Sequence, residues 1–166
     1  MATTYEKIAT TTLGSANATI DFTSITASYT DLRVVLTGAC SASSYILFTV
    51  NNTTTPYSYT YLFGTGAAAG SKRNTSGGLT GVYLNDEVAM ATNNMFLAEI
   101  DFFSYSGSTN KTSLSAFSGD QNGSGQVQRN VNLWGSTSAI NRVTLTCQGG
   151  NFNTGTTATL YGILKA

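Results

Sequence analysis

The chain has 166 residues, 41% apolar and only 10% charged, with eight basic and eight acidic side chains that sum to zero. That length and apolar share suffice for one domain with a real core, while charges spread singly, apart from the doublet Lys72-Arg73, lack the basic stripe of a nucleic-acid binder. No apolar run is long enough to span a membrane, so insertion is not expected, and the lack of histidine removes Ser-His-Asp, Cys-His and histidine–zinc chemistry.

Thr, Ser, Asn and Gly take the place of charge, a composition that favours strands and turns over helices. The start of the chain carries no basic region followed by an apolar core, so synthesis in a cytoplasm without export is expected. Residues 5–13 and 18–22 read as two strands joined by the polar link Leu13-Gly14-Ser15-Ala16-Asn17. Residues 31–37 place Leu32, Val34 and Leu36 on one face, and residues 45–50 place Ile46, Phe48 and Val50 together before Asn51-Asn52 ends the run. In residues 57–63 the alternating Tyr57, Tyr59 and Tyr61 share one face. Such a row serves either as a cross-strand ladder in a core or subunit contact, or as an exposed platform for stacking on sugars. Phe63 continues the same face, which favours the core or subunit contact.

Residues 64–78 hold almost nothing to bury and predict a long loop, either a plain surface loop or one that reaches a neighbouring subunit or a ligand through Lys72 and Arg73. A phosphate-binding loop is not encoded there, because Gly70 is followed by Ser71 where a lysine would be required. Asp86-Glu87 reads as a solvated acidic turn, since two carboxylates supply too few oxygens for a calcium site.

Residues 94–105 form the strongest strand pattern, with Phe96, Ala98, Ile100 and Phe102 inward. Glu99 and Asp101 share the other face about 7 Å apart, a spacing that overlaps the paired carboxylates of glycosidases; a polar strand face is the plainer account. Met95, Leu97 and Phe103 lie opposite Phe96 and Ile100, so this strand is apolar on both sides near its ends and predicts burial under a loop or a partner subunit. Residues 110–118 alternate through Thr112, Leu114, Ala116 and Ser118. Residues 127–134 put Val127, Arg129, Val131 and Leu133 on one side and end at Trp134, a further ring for a subunit or glycan contact. Residues 140–147 and 157–164 complete about ten strands. Cys40 and Cys147 fall in register with apolar neighbours, and two buried reduced thiols are expected.

Nothing between the strands has the length or period of a crossover helix, so the sheets should be antiparallel. The expectation is one all-β domain over residues 1–166, an antiparallel two-sheet β-sandwich with jelly-roll connections.

Several segments together resemble a family of small tailed-bacteriophage virion proteins, found alone or as terminal domains of larger tail and appendage proteins. The segments are Thr4-Tyr5-Glu6-Lys7-Ile8-Ala9-Thr10; Ile20-Asp21-Phe22-Thr23-Ser24-Ile25 followed by Tyr29-Thr30-Asp31-Leu32; Phe48-Thr49-Val50-Asn51-Asn52 with Tyr57-Ser58-Tyr59; Ser108-Thr109-Asn110-Lys111-Thr112; Leu133-Trp134; Ala139-Ile140; and Thr157-Ala158-Thr159-Leu160-Tyr161-Gly162-Ile163. Their order and spacing cover nearly the whole chain, with a departure at Thr26, where relatives often carry proline. The resemblance implies a virion structural protein displayed on head or tail, assembled in the host cytoplasm among other virion proteins, and not an enzyme; it carries no site residues across. With it goes the expectation of a homo-oligomer, a trimer first, and of no cofactor or metal. The alternative is a tail-fibre receptor-binding module that grips host surface glycan through exposed aromatics.

Overall fold

The computed structural model describes residues 4–54, 56–75, 80–120 and 125–164. Twelve strands make up the regular structure: β1 (Tyr5–Thr12), β2 (Thr19–Phe22), β3 (Asp31–Gly38), β4 (Tyr45–Val50), β5 (Tyr57–Gly64), β6 (Ala69–Asn74), β7 (Val82–Tyr83), β8 (Phe96–Phe103), β9 (Lys111–Gly119), β10 (Gln126–Trp134), β11 (Val143–Gln148) and β12 (Thr157–Ile163). They form two antiparallel sheets, one of eight strands in the order β1-β12-β3-β8-β9-β10-β5-β6 and one of four in the order β2-β11-β4-β7.

Within this order lies a jelly roll. The first four strands alternate between the sheets, and the groups β1-β12-β3-β8 and β2-β11-β4-β7 are the two four-stranded halves of that connectivity. The meander β8-β9-β10 and the hairpin β5-β6 then widen the first sheet by four strands. The expected sandwich is therefore present, with twelve strands rather than about ten. The two additions are β6 and β7.

β6 corrects the expectation of a long loop over residues 64–78. Thr65 and Ala68 close a tight turn, with Gly66 at a φ of 81°, and Ala69–Asn74 pair with Tyr59 to Gly64. The pairing answers a backbone requirement: the free edge of β5 needs partners for its N–H and C=O groups, and small side chains form that ladder as well as large ones. Residues 76–79 of the expected loop lie outside the described residues.

Alternation places the core as the sequence suggested. Leu32, Val34 and Leu36 of β3, Ile46, Phe48 and Val50 of β4, and Phe96, Ala98, Ile100 and Phe102 of β8 are all buried in one cluster shared by both sheets. Phe48 and Phe102 meet edge to face across the sandwich, with centroids 5.4 Å apart at 85°. Cys40 and Cys147 are buried and unbonded, as expected of two structural thiols. The Cys40 thiol is held above its ordinary pKa by its hydrogen bond to Cys147 and by burial. Glycines are used where backbone must close on side chain: a Cβ at Gly162 would lie 2.3 Å from the Tyr29 ring.

Truncating the inter-sheet contact tests this packing. Phe48→Ala is expected to cost about 3–5 kcal/mol of unfolding free energy, read as a lowered urea midpoint at unchanged slope. A loss below about 1 kcal/mol would show that the two sheets do not share this core.

Candidate functional site

Over the widened part of the large sheet the small sheet reaches with Phe48 and Val50 of β4 and with β7, which meet Tyr57, Lys111, Ser113, Asn130 and Asn132, and the segment 84–95 packs against the inner face beyond them. That roof combines the buried Leu84 and Met90 with Asn85, Asp86 and Glu87, and the sheet beneath it is largely polar. Four successive inward positions of β10 are Gln126, Gln128, Asn130 and Asn132, all buried. The neighbouring β9 contributes Lys111, Ser113 and Ser115 to the same layer. Asn132 Nδ2 donates to the hydroxyls of Ser113 and Ser115 at 3.2 Å each, Gln128 Nε2 donates to Asn130 Oδ1 at 2.9 Å, and Asn130 Nδ2 donates to the Tyr83 carbonyl at 2.8 Å. The Lys111 ammonium is held by the carbonyls of Gly107, Thr109 and Thr137; desolvation lowers its pKa.

The tyrosine row belongs to this layer. Tyr57, Tyr59 and Tyr61 face inward from β5 and are 1%, 2% and 3% exposed. Their hydroxyls are each anchored: Tyr57 accepts from the Val50 N–H at 2.9 Å, Tyr59 donates to Asp86 at 3.1 Å, and Tyr61 donates to Glu87 at 3.4 Å. Asn74 Nδ2 reaches both Asp86 and the Tyr59 hydroxyl. Lys72 bridges to both Glu87 oxygens at 2.8 and 2.9 Å and lies over the Phe63 ring. The row is therefore the core ladder that Phe63 favoured and not the alternative sugar-stacking platform, and Asp86-Glu87 is corrected from a solvated turn to the cap on that ladder. Trp134, also buried, is corrected in the same sense, and Lys72 is committed to an intramolecular ion pair. Burial holds the Tyr57, Tyr59, Tyr61 and Tyr105 hydroxyls above the usual phenol range, with Asp86 and Glu87 adding to the effect at Tyr61.

The outer face is the reverse of the inner one. Because side chains alternate, the inward amides of β10 turn Val127, Arg129, Val131 and Leu133 outward, leaving Val127 60% and Val131 58% exposed. Leu62 on β5 and Leu97 and Phe103 on β8 join the same face, with Met95 at its margin 65% exposed. Met95, Leu97 and Phe103 do lie opposite Phe96 and Ile100, but the burial expected of them is not seen: among the described residues all three are exposed. Arg73 on β6 lies outward beside Thr60 and is exposed. At one end of the face an open groove of about 550 Å³ runs between Gly64, Met95, Leu97, Asp120, Gln126 and Val127.

Glu99 and Asp101 share this face, as their spacing predicts. They stand on an open sheet surface, and Asp101 is clamped by Arg33 at 2.6 and 2.9 Å. Arg129 and Glu99 sit on either side of Ala116 in one register row and enter no ion pair of their own among the described residues. The inward amides and the outward apolar row are the features that sequence reasoning did not assign. The signal was present in the alternation Gln126-Val127-Gln128-Arg129-Asn130-Val131-Asn132-Leu133, which separates two faces without saying which is inside.

No protein-family model and no curated protein matches the chain. Among solved structures, exo-inulinase from Aspergillus awamori aligns at 12% identity and a TM-score of 0.38, over 96% of this chain and 29% of that one. An aerolysin-like protein from Bombina maxima aligns at 12% identity and a TM-score of 0.16, over 84% and 86% of the two chains. The chain thus spans under a third of the inulinase it aligns with, and at these scores neither alignment bears on function.

The anchored tyrosines set a pH limit. The folded chain keeps protons that the unfolded chain releases near pH 10, so this stabilisation is full below about pH 10 and is lost as pH rises through the higher folded pKa values. Unfolding free energy is expected to stay level in mildly alkaline buffer and to fall above about pH 10, with phenolate absorbance rising together with unfolding. The double variant Tyr59→Phe, Tyr61→Phe should fall less steeply. Complete phenolate formation in a chain still folded would refute the burial of these hydroxyls.

Proposed function

We propose that the chain is a structural protein of a tailed-bacteriophage particle, displayed on the particle surface as a capsid decoration or a head or tail appendage, and that it works through protein–protein contacts. The observation that carries this reading is the outer face of the eight-stranded sheet. Leu62 of β5, Phe103 of β8 and Val127 and Val131 of β10 stand in the open there while amides fill the inner side of β10. Large apolar side chains gathered on one exposed sheet face and interspersed with charges such as Arg129 and Glu99 are what a protein–protein contact surface presents. The sequence segments that resemble phage virion proteins supply the address, and assembly in the host cytoplasm onto the particle follows from it.

Contact with host glycan is the weaker reading, because the rings that would have stacked on sugar are internal: Tyr57, Tyr59, Tyr61 and Trp134 sit in the core. Glu99 and Asp101 give no stronger support to glycan cleavage, since one of the two is neutralised by Arg33 and no cleft encloses them. Sugar hydrolysis needs a carboxyl shielded enough to remain protonated.

Immunogold labelling of purified particles of the encoding phage, with antibody raised against the chain, is expected to place gold at a fixed site on head or tail. Particles that carry no label and no copy of the chain by mass spectrometry would remove the virion assignment.

A further inference from the structure

Resting on that reading of the outer face as an interface, we infer that its occupant is a second copy of the same chain, related by a two-fold axis that runs along β9 between the two sheets. The inference comes from the register. β9 has β10, β5 and β6 on one side and β8, β3, β12 and β1 on the other. A two-fold rotation about β9, laying the outer faces together, sets β8 over the partner's β10 and β3 over the partner's β5. It also keeps each row at its own height along the strands.

The rows then match. At the level of Ala116 the order across the sheet is Leu62, Arg129, Ala116, Glu99, Val35. The rotation brings Arg129 over Glu99 and Leu62 over Val35, twice each by symmetry. At the level of Ser118 it brings Val127 over Leu97, and at the level of Thr112 it brings Leu133 over Phe103. Leu114 meets its own copy on the axis. One row is less complementary: Val131 falls over Asp101, but Asp101 is already paired with Arg33 and brings no free charge. Arg129 and Glu99, neither in an ion pair among the described residues, are thus of opposite sign and equidistant from the axis, the arrangement a self-complementary surface requires; Arg73, also unpaired on this face, falls over Tyr161 at the partner's edge.

The area is adequate. Seven strands, β6 through β12 in sheet order, lie under the partner. At about 4.8 Å between strands and about 3.3 Å per residue, eight-residue strands give a footprint of about 890 Å² per copy. A stable interface needs about 800 Å² per partner. Two right-twisted sheets packed in this way cross at about 30°, which a two-fold axis along the bisector accommodates. Net charge is zero, so no long-range repulsion opposes the pairing. The proposed two-fold dimer thus stands in place of the trimer expected from the sequence, and the oligomeric mass decides between them.

Sedimentation equilibrium of the purified chain should give a mass about twice 17.4 kDa. Arg129→Glu or Glu99→Arg alone, each placing like charges face to face, should weaken the dimer by more than about tenfold. The double variant Arg129→Glu, Glu99→Arg should restore it, because each new glutamate faces a new arginine. Far-UV circular dichroism and thermal melts confirm that each variant is folded. As a second measurement, Ala116→Cys lies on the axis and should cross-link to its own copy with a short bis-maleimide. Thr10→Cys on β1, four strands from the axis and beyond the partner's edge, should not. The native Cys40 and Cys147 are buried and do not compete. A monomer at high micromolar concentration, a trimeric mass, a dimer indifferent to both single charge reversals, or cross-linking at Thr10 but not at Ala116 would each overturn the inference. Each of those results leaves the virion assignment standing, since particle labelling tests that independently.

Discussion

A β-strand has only two faces, and on β10 the inner one is given to amides. Gln126, Gln128, Asn130 and Asn132 point between the layers: each side-chain NH2 group donates, to the next amide, to the Tyr83 carbonyl or to the Ser113 and Ser115 hydroxyls, while the Gln126 Oε1 and Asn132 Oδ1 atoms have no partner among the described residues. Burying an amide without a partner costs about 1–3 kcal/mol, and burying it with one is close to neutral. The network under the sheet is therefore what makes this orientation tenable. Once it is set, the period of two obliges Val127, Val131 and Leu133 to face outward. A slip of one residue would exchange the faces, and the pairing of β10 with both β9 and β5 along its length forbids it.

The polar interior has an architectural cause. In the jelly-roll half, strands of one sheet oppose strands of the other, and the space between is filled by Phe48, Phe102, Val34, Leu145 and their neighbours. The widening strands β9, β10, β5 and β6 meet the small sheet only at Phe48 and Val50 of β4 and at β7, and the rest of their inner face is roofed by chain without a ladder of its own. Such chain carries unpaired carbonyls and polar side chains that need partners. The sheet below meets them with amides, serines and tyrosine hydroxyls. Asp86 and Glu87 complete the arrangement at the rim, taking the Tyr59 and Tyr61 hydroxyls and holding Asn74 and Lys72 of the last strand. The acidic turn, the tyrosine row and Lys72 of the basic doublet, separate features in the sequence, are one structural unit.

What the sequence made legible follows the same logic. Alternation over Phe96 to Phe102 predicted both the buried row and the outward Glu99 and Asp101, because a two-residue period survives any tertiary arrangement. The ten strands with apolar rows were legible, but β6 was not: Ala-Gly-Ser-Lys-Arg-Asn has no apolar period, and its ladder is made by backbone alone. β7 is two residues long and leaves no pattern to read. For the tyrosines the decisive partners are Asp86 and Glu87, 27 and 26 residues from Tyr59 and Tyr61, and no local pattern links them. On β10 the two faces were legible while their sense was not, since that depends on what the roof presents from elsewhere in the chain.

The edges of the sheets bear on how such a surface is used. An open sheet can associate by adding strands at an edge or by covering a face, and edge addition leads to uncontrolled growth. Here the edges are guarded. β6 carries Lys72 and Arg73 on one flank of the large sheet, and β1 carries Glu6, Lys7 and a register break between Lys7 and Ala9 on the other. The small sheet ends in β7, too short to template a partner, and in β2, whose Asp21 is engaged by Arg142. Charge is scarce in this chain, and a share of what there is sits where strand addition would begin. With the edges closed to growth, the apolar outer face is left as the surface through which association can proceed, and a face, unlike an edge, is exhausted by one partner.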